Sequence, residues 1–306
     1  MNVQDFALIA FTILAQMAVG SFLVLGLVHT YAARATNMEE ADRLSDRALL
    51  VIWPVLGLAL LASLLHLGSP FGAYRAVNNL GTSWLSREIL FGSSFFVLGV
   101  VFAFLQWRKL GSFALRNTLA WITALAGLAL VYSMSNVYLL PTQPAWNTWA
   151  TPVTFFTATF LLGALAMGAA FVANYAYLKR TQPDCADAQC TLLLEVLRRI
   201  AVVSVVLLGV ELVTLPIYLA SLAAGPAAAL QTAQLLVGPY GWALILRLAL
   251  VFLGAGVVAL FLYRNALSAG QEKVLGNLTY LAFALVLVAE VFGRFLFYAT
   301  HVRIGI

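Results

Sequence analysis

The chain has 306 residues, of which 63% are hydrophobic and only 9% are charged, and its mean hydropathy is +0.95. Soluble domains carry about 25% charged and about 45–50% apolar residues, so this composition excludes a soluble or a disordered protein. Two cysteines exclude a disulfide scaffold, and the net charge of +5 comes from scattered basic residues, not from a nucleic-acid-binding patch. The sequence therefore predicts a single membrane domain over 1–306.

Eight apolar runs along the sequence are long enough to cross a membrane. A bilayer core about 30 Å thick requires about 20 apolar residues per helix. The first run is too long for a signal peptide, and acidic Asp5 precedes it instead of basic residues. We therefore predict an all-α fold, a polytopic bundle of eight transmembrane helices at about 6–33, 47–67, 87–107, 114–139, 151–178, 196–222, 235–263 and 275–298.

Basic residues are distributed unevenly between the two sides that these spans define. Three lie on the side of the termini (Arg75, Arg87 and Arg303), and two lie within spans. Because Lys and Arg in short loops stay in the cytoplasm, both termini are predicted to face the periplasm across a bacterial inner membrane. The other 12 of the 17 basic residues follow the odd-numbered spans: Arg34, Arg43, Arg47, Arg108, Lys109, Arg116, Lys179, Arg180, Arg198, Arg199, Arg264 and Lys273.

The loops predicted on the periplasmic side differ from the short basic loops opposite. The segment at about 68–86 is long and spaces its polar residues among Gly, Pro and aromatic residues, while the loops at 140–152 and 223–236 are uncharged. Trp146 and Trp149 stand where aromatic side chains anchor at a membrane interface. No repeat of 20–50 residues and no soluble domain is visible.

Few ionisable residues lie within or at the edges of the predicted spans, where such groups are costly and often functional. Glu211 and Arg247 lie at the same depth, about 17 Å from the outer ends of the sixth and seventh spans, which predicts a buried ion pair. Glu290 and Arg294 are four residues apart on the eighth span, in the order that favours pairing on a helix. For both pairs, a structural role and a role in proton or substrate movement remain open.

Three histidines and two cysteines are the candidate metal ligands. His29 ends the first span on the inner side, whereas His66 and His301 lie at the outer side, so a haem held by two histidines is not expected. Cys185 and Cys190 are too few for an iron–sulfur cluster, which takes four thiolates, and zinc would need two more ligands. We therefore predict free thiols in a reducing compartment and no haem or metal in this protein.

His66 and Glu88 flank the long loop between the second and third spans. A histidine gains and loses a proton near neutral pH, and a carboxyl group near an apolar interface holds a proton more readily than one in water. Together they are candidates to accept the two protons of a hydroquinone whose isoprenoid tail stays in lipid. The residues alone leave a second interpretation open, an interfacial histidine and a carboxylate that stabilises a helix start through the helix dipole.

The segment Leu64–Ile89 reads LLHLGSPFGAYRAVNNLGTSWLSREI. It resembles the region around the second and third helices of the membrane-anchor subunit of dimethyl sulfoxide reductase, the DmsC family. The number of spans, the outward termini and the length of the sequence agree with this resemblance. It implies an anchor that oxidises menaquinol, with His66 and Glu88 binding the quinol, and that passes electrons to an iron–sulfur subunit. That subunit in turn feeds a molybdopterin catalytic subunit on the periplasmic face.

The resemblance also implies roles for the loop between these two helices. His66 would hydrogen-bond a ring hydroxyl and Glu88 would relay a proton to the periplasm. Menaquinol or menaquinone is the expected cofactor, and the partners are the two other subunits and the lipid bilayer, with no nucleic acid. Further candidates for quinol binding, proton relay or partner docking are Gly68, Ser69, Arg75, Asn78, Asn79, Trp84, Ser86 and Arg87.

Two alternative functions remain open at this point. One is an anchor of a related enzyme for polysulfide, nitrite or tetrathionate, because the specificity for the acceptor lies in the catalytic subunit. The other is a secondary transporter that uses Glu211 and Arg247 as its coupling site. Transporters often have inverted halves with broken helices at the midplane, and Pro216 and Pro54 make a poor pair of such breaks.

Overall fold

A computed structural model of the protein describes residues 3–66, 75, 78–181, 186–265 and 272–305. Within these ranges the regular structure is entirely helical, and eight helices are long and apolar enough to cross a membrane. In order along the sequence the helices are α1 (Val3–Ala35), α2 (Met38–His66), α3 (Trp84–Trp107), α4 (Phe113–Val137), α5 (Ala150–Thr181), α6 (Ala186–Ala223), α7 (Ala227–Val237), α8 (Gly241–Val251), a π-helical segment (Phe252–Val258), α9 (Ala259–Asn265) and α10 (Glu272–Ala299).

Helices α1 and α5 form the centre of the bundle. In their most apolar windows 72% and 78% of the residues are buried inside the protein, against 28–44% in the other spans. α1 packs against α2 and α5, α5 against α6 and α10, and α3 against α4. The peripheral helices therefore turn much of their apolar surface outward, as expected for helices that face lipid.

The crossing of α1 and α5 depends on two glycines that face each other. A Cβ atom added to Gly20 would lie 1.8 Å from the carbonyl oxygen of Thr159, and one added to Gly163 would lie 2.1 Å from the carbonyl carbon of Gly20. The two backbones therefore touch directly. Small residues at a crossing allow such an approach, and the resulting van der Waals packing holds helices together in lipid.

Two helices begin about ten residues before the predicted spans, α2 at Met38 instead of 47 and α6 at Ala186 instead of 196. Charged residues mark where an apolar run stops, but they do not stop a helix whose charges can pair in water. On α2 the Nζ atom of Lys109 lies 2.8 Å from Asp42 Oδ2 and 2.7 Å from Asp46 Oδ2, and His29 lies 2.9 Å from Asp42. These pairs tie the polar end of α2 to α1 and to the end of α3.

The prediction of one helix over 235–263 is wrong at its start. The loop predicted at 223–236 contains most of α7, which ends at Val237 with Gly238 as its C-cap, and the seventh membrane helix begins only at Gly241. That helix then passes through the π-helical segment, and such wider turns inside α-helices are frequent at functional sites. The segment begins five residues after Arg247.

Candidate functional site

α3 begins three residues before the predicted start at 87, and residues of the preceding loop cap its N-terminus. Ser83 is the N-cap, and its Oγ accepts a hydrogen bond from the backbone N–H of Ser86 at 3.3 Å. The guanidinium of Arg87 donates to the carbonyl oxygens of Leu80 and Gly81 at 2.8 and 2.7 Å. Residues 80–83, directly before α3, are therefore fixed by local hydrogen bonds.

Three of the predicted loop residues thus lie in the first turn of α3 and pack there. The Arg87 guanidinium lies 4.2 Å from the centre of the Trp84 ring, and Trp84 meets Tyr132 of α4 edge to face with 5.5 Å between ring centres. Ser86 is buried. Arg87 and Trp84 therefore hold the start of α3 against α4.

Glu88 follows directly and is buried, with 8% of its surface exposed. No residue in the described ranges forms a hydrogen bond or an ion pair with its carboxyl group. The carboxyl group is close enough to Tyr138 and Tyr298 to interact electrostatically with both hydroxyls. A buried carboxyl group without a partner among the described residues is able to exchange a proton with a ligand or with neighbouring hydroxyls.

The other predicted residues around the loop are placed less completely. α2 ends at His66, but its side chain lies outside the described part of the structure, as do Gly68 and Ser69. Arg75 is exposed. The structure therefore brings the end of α2 and the start of α3 to the same face of the bundle, but it does not describe a contact between His66 and Glu88.

An aromatic cluster that the sequence analysis did not identify lies beside Glu88. The hydroxyls of Tyr138, which follows α4, and Tyr298, on α10, are 2.7 Å apart. Trp146 stacks between Phe297 and His301, with 5.0 and 4.5 Å between ring centres. The Nδ1 atom of His301 donates to the carbonyl oxygen of Tyr298 at 2.7 Å, so the C-terminal tail is fixed over the loop between α4 and α5.

The four intramembrane charges are arranged differently from two separate pairs. Arg247 Nη2 lies 2.8 Å from Glu211 Oε1, as the equal depths predicted, and 3.7 Å from Glu290 Oε1. The predicted pairing of Glu290 with Arg294 is wrong, since Arg294 Nη2 instead donates to Gln16 Oε1 at 2.9 Å. Arg294 also lies over the Phe155 ring, 3.6 Å from its centre.

This difference has a physical reason. Spacing of four residues brings two side chains to one face of an isolated helix, but here each of the two turns away toward a different neighbouring helix. Glu290 lies beside Arg247 of α8, and Arg294 donates a hydrogen bond to Gln16 of α1. Gly293 makes room for this, because a Cβ there would lie 2.6 Å from Arg247 Nε.

Metal ligands do not gather anywhere in the described ranges: no three His, Cys, Asp or Glu side chains come together as a metal site would require. His29 lies near Asp42 at the end opposite to His301. Cys190 is on the first turns of α6, and Cys185 lies outside the described residues.

Comparison with known proteins agrees with the resemblance of the segment between α2 and α3. Residues 1–300 match the family model described as DMSO reductase anchor subunit (DmsC). The C subunit of the anaerobic dimethyl sulfoxide reductase from Escherichia coli (strain K12) is 31% identical, over 99% of this protein and 96% of that one. A Haemophilus influenzae protein of the same description is 30% identical, over 99% and 97%.

A second Escherichia coli relative, the YnfH subunit of an anaerobic dimethyl sulfoxide reductase, is 29% identical, over 99% of this protein and 96% of its own length. All of these matches run nearly from end to end, so they include the helices that carry Glu88, the Tyr138–Tyr298 pair and the intramembrane charges. The protein belongs to the DmsC family of DMSO reductase membrane-anchor subunits.

Proposed function

We propose that this protein is the quinol-oxidising subunit of its reductase complex. It takes two electrons and two protons from menaquinol, which becomes menaquinone, at a site between the end of α2 and the start of α3. The electrons pass to an iron–sulfur subunit and from there to a molybdopterin catalytic subunit. Both partners dock on the face of the bundle that carries the C-terminus, which is the periplasmic face of a bacterial inner membrane.

The observation that carries this proposal is the buried Glu88 carboxyl group. Burying a carboxyl group without a hydrogen-bond partner costs free energy, and no described residue offsets that cost. A bound hydroquinone would offset it, because its hydroxyl group donates a hydrogen bond to the carboxylate. The proton can then move to Glu88 as the ring is oxidised.

The surroundings of Glu88 suit this task. Arg87 and Trp84 fix the first turn of α3, so the carboxyl group is held by a rigid element rather than by a loop. α2 ends at His66 on the same face of the bundle. A second proton acceptor therefore stands at the other end of the loop that precedes α3. We propose that His66 binds the second ring hydroxyl, and that Arg75, Gly68 and Ser69 line the pocket or the docking surface.

The test replaces Glu88 by glutamine in the complete complex. Glu88→Gln keeps the shape of the side chain but cannot take a proton, so we expect quinol oxidation to fall by about 10²–10⁴-fold, the range for a general base. An artificial donor that reduces the iron–sulfur subunit directly should still support normal turnover. Both rates are measured on the same membranes, with reduction of the terminal acceptor as the readout.

The matched control is Glu195→Gln. Glu195 also lies on a membrane helix, but it is partly exposed and pairs with Arg199 on its own helix at 2.9 Å. This variant should oxidise quinol at the wild-type rate. Near-normal quinol oxidation by Glu88→Gln would show that Glu88 only stabilises the helix start, and the proposed site would be wrong.

A further inference from the structure

A cavity of ≈ 100 Å³ lies between α5, α6, α7, α8 and α10, near the face that carries the C-terminus. Its floor is formed by the four charged residues Glu211, Arg247, Glu290 and Arg294, and its mouth includes Trp146 and His301. We call it the charged cavity. It is separate from the start of α3, since none of the described residues of α2 or α3 lines it.

The charged cavity contains an unusual number of unsatisfied polar atoms. Glu211 Oε2, Glu290 Oε1, Arg247 Nε and Arg294 Nε are all buried and have no hydrogen-bond partner among the described residues. Three of the four residues are at least 95% buried. Unsatisfied buried polar groups in a native structure usually bind ordered water or ions, and a water molecule occupies about 30 Å³. The cavity therefore has room for about three waters.

The charges are balanced in a way that suits water rather than an ion. Two guanidinium groups face two carboxyl groups, with Arg247 between Glu211 and Glu290 and Arg294 held by Gln16 and the Phe155 ring. The floor thus holds two formally positive and two formally negative groups. Waters in the cavity would have carboxylate oxygens beside them that accept protons. The two carboxyl groups would also offset the repulsion between a moving proton and the two guanidinium groups.

A pair of tyrosine hydroxyl groups lies near both Glu88 and one of the charged floor residues. Glu290, Arg294 and Tyr298 are spaced by four residues on α10, so they form one stripe along that helix. At the end of the stripe Tyr298 bonds to Tyr138 at 2.7 Å, and both hydroxyls interact electrostatically with Glu88 on one side and with Arg294 on the other. The tyrosine pair is therefore a neighbour of both the buried carboxyl group and Arg294, one of the floor residues of the charged cavity.

We propose that the charged cavity is the proton exit of the quinol site: protons taken up by Glu88 pass along the Tyr298–Tyr138 hydroxyl pair to water in the cavity and leave beside His301. The inference rests on the proposed function. Oxidation of one hydroquinone releases two protons and two electrons, and the electrons leave through the iron–sulfur partner. Each hydroxyl of the pair accepts one proton and donates its own, so neither tyrosine changes its charge after a complete transfer.

The exit route explains why a buried Glu88 can work repeatedly. A carboxyl group that has taken a proton cannot take another until the first has left, and Glu88 has only 8% of its surface exposed. The cavity, by contrast, reaches the face of the protein at Thr300 and His301, and His301 is exposed. Protons released there appear on the same face as the C-terminus.

The test removes one hydroxyl from the pair without changing the packing of the ring. In the complete complex, Tyr298→Phe should lower quinol-dependent turnover by about 10²-fold, the low end of what one positioned proton-transfer group contributes. The solvent deuterium isotope effect should rise, because proton transfer then limits the rate. The KM for quinol and the turnover with an artificial donor to the iron–sulfur subunit should stay at their wild-type values.

The matched control is Tyr280→Phe, since Tyr280 lies on the same helix and faces outward with 43% of its surface exposed. If Tyr298→Phe fails to assemble, Tyr138→Phe breaks the same hydrogen bond from the other side. Wild-type turnover and isotope effect in the assembled tyrosine variant, together with an inactive Glu88→Gln, would overturn the exit route but leave the quinol site standing. Normal turnover in Glu88→Gln would overturn the proposed function itself.

Discussion

Each of the two buried arginines is stabilised by a different set of neighbours. Arg247 lies between two carboxyl groups, whereas Arg294 has an amide oxygen and the face of an aromatic ring. A cation over an aromatic face gains about 2 kcal/mol or more when both are desolvated. The Arg294 guanidinium is thus stabilised without a direct carboxylate partner among the described residues, and Glu290 lies beside Arg247 instead.

We predict that Arg247→Met is strongly destabilising. Removing one partner of a buried ion pair costs about 3–5 kcal/mol, and here the change leaves both Glu211 and Glu290 without their closest cation. Thermal unfolding of the purified complex in detergent should show a clearly lower midpoint. Arg199→Met is the control, because Arg199 forms an exposed pair on a single helix and such pairs contribute little. Equal midpoints for the two variants would contradict the buried network.

Contacts between residues of different helices were predictable from the sequence where depth in the membrane alone decides them. Counting residues from the helix ends places Glu211 and Arg247 at one level, and the structure joins them. The same counting could not identify the Arg294–Gln16 bond, because it depends on which faces of α10 and α1 meet. Tyr138 and Tyr298 were missed for a related reason: tyrosines near membrane ends are commonly interfacial anchors, and only the tertiary fold pairs them.

At the scale of helices, the α1–α5 crossing requires glycine on both sides. We predict that Gly20→Ala destabilises the protein, since its Cβ would lie 1.8 Å from a carbonyl oxygen of α5 and the two helices would have to separate. Such overpacking costs about 1–3 kcal/mol. The measurements are the amount of complex assembled in the membrane and its unfolding midpoint in detergent.

The control for this prediction lies on the same helix. A Cβ added to Gly26 meets none of the described atoms within 4 Å, and alanine is favoured over glycine in a helix by about 1 kcal/mol. Gly26→Ala should therefore assemble as well as the wild type or better. If both glycine variants behave alike, the close approach of α1 and α5 does not contribute to stability.

Helix existence was predictable from the apolar runs, but helix ends were not. Bilayer thickness fixes how many apolar residues a span needs, so all eight spans follow from the sequence. It says nothing about the first turns of α2, whose charged side chains continue the helix beyond the apolar run. Gly238 separates α7 from the seventh span, although the apolar composition of that stretch continues on both sides.

At the scale of the whole molecule, the structure defines two faces but not their orientation in the membrane. On one face the C-terminal tail meets the loop between α4 and α5, with the N–H of Ile304 donating to the carbonyl oxygen of Thr142 at 2.9 Å. On the other face, Lys109, which follows α3, pairs with two aspartates in the first turns of α2. Contacts within the protein are the same whichever face is inside, so only charge can orient the bundle.

We predict that the C-terminal face is periplasmic, because it carries three basic residues against 12 on the opposite face, and Lys and Arg are retained in the cytoplasm. A reporter that is active only in the periplasm should give signal when fused after Ile306. A reporter active only in the cytoplasm should give signal when inserted in the turn between α3 and α4, beside Lys109. The opposite pattern would reverse the bundle: the start of α3, the mouth of the charged cavity and the proposed docking face would then all lie in the cytoplasm, and protons from quinol would be released there.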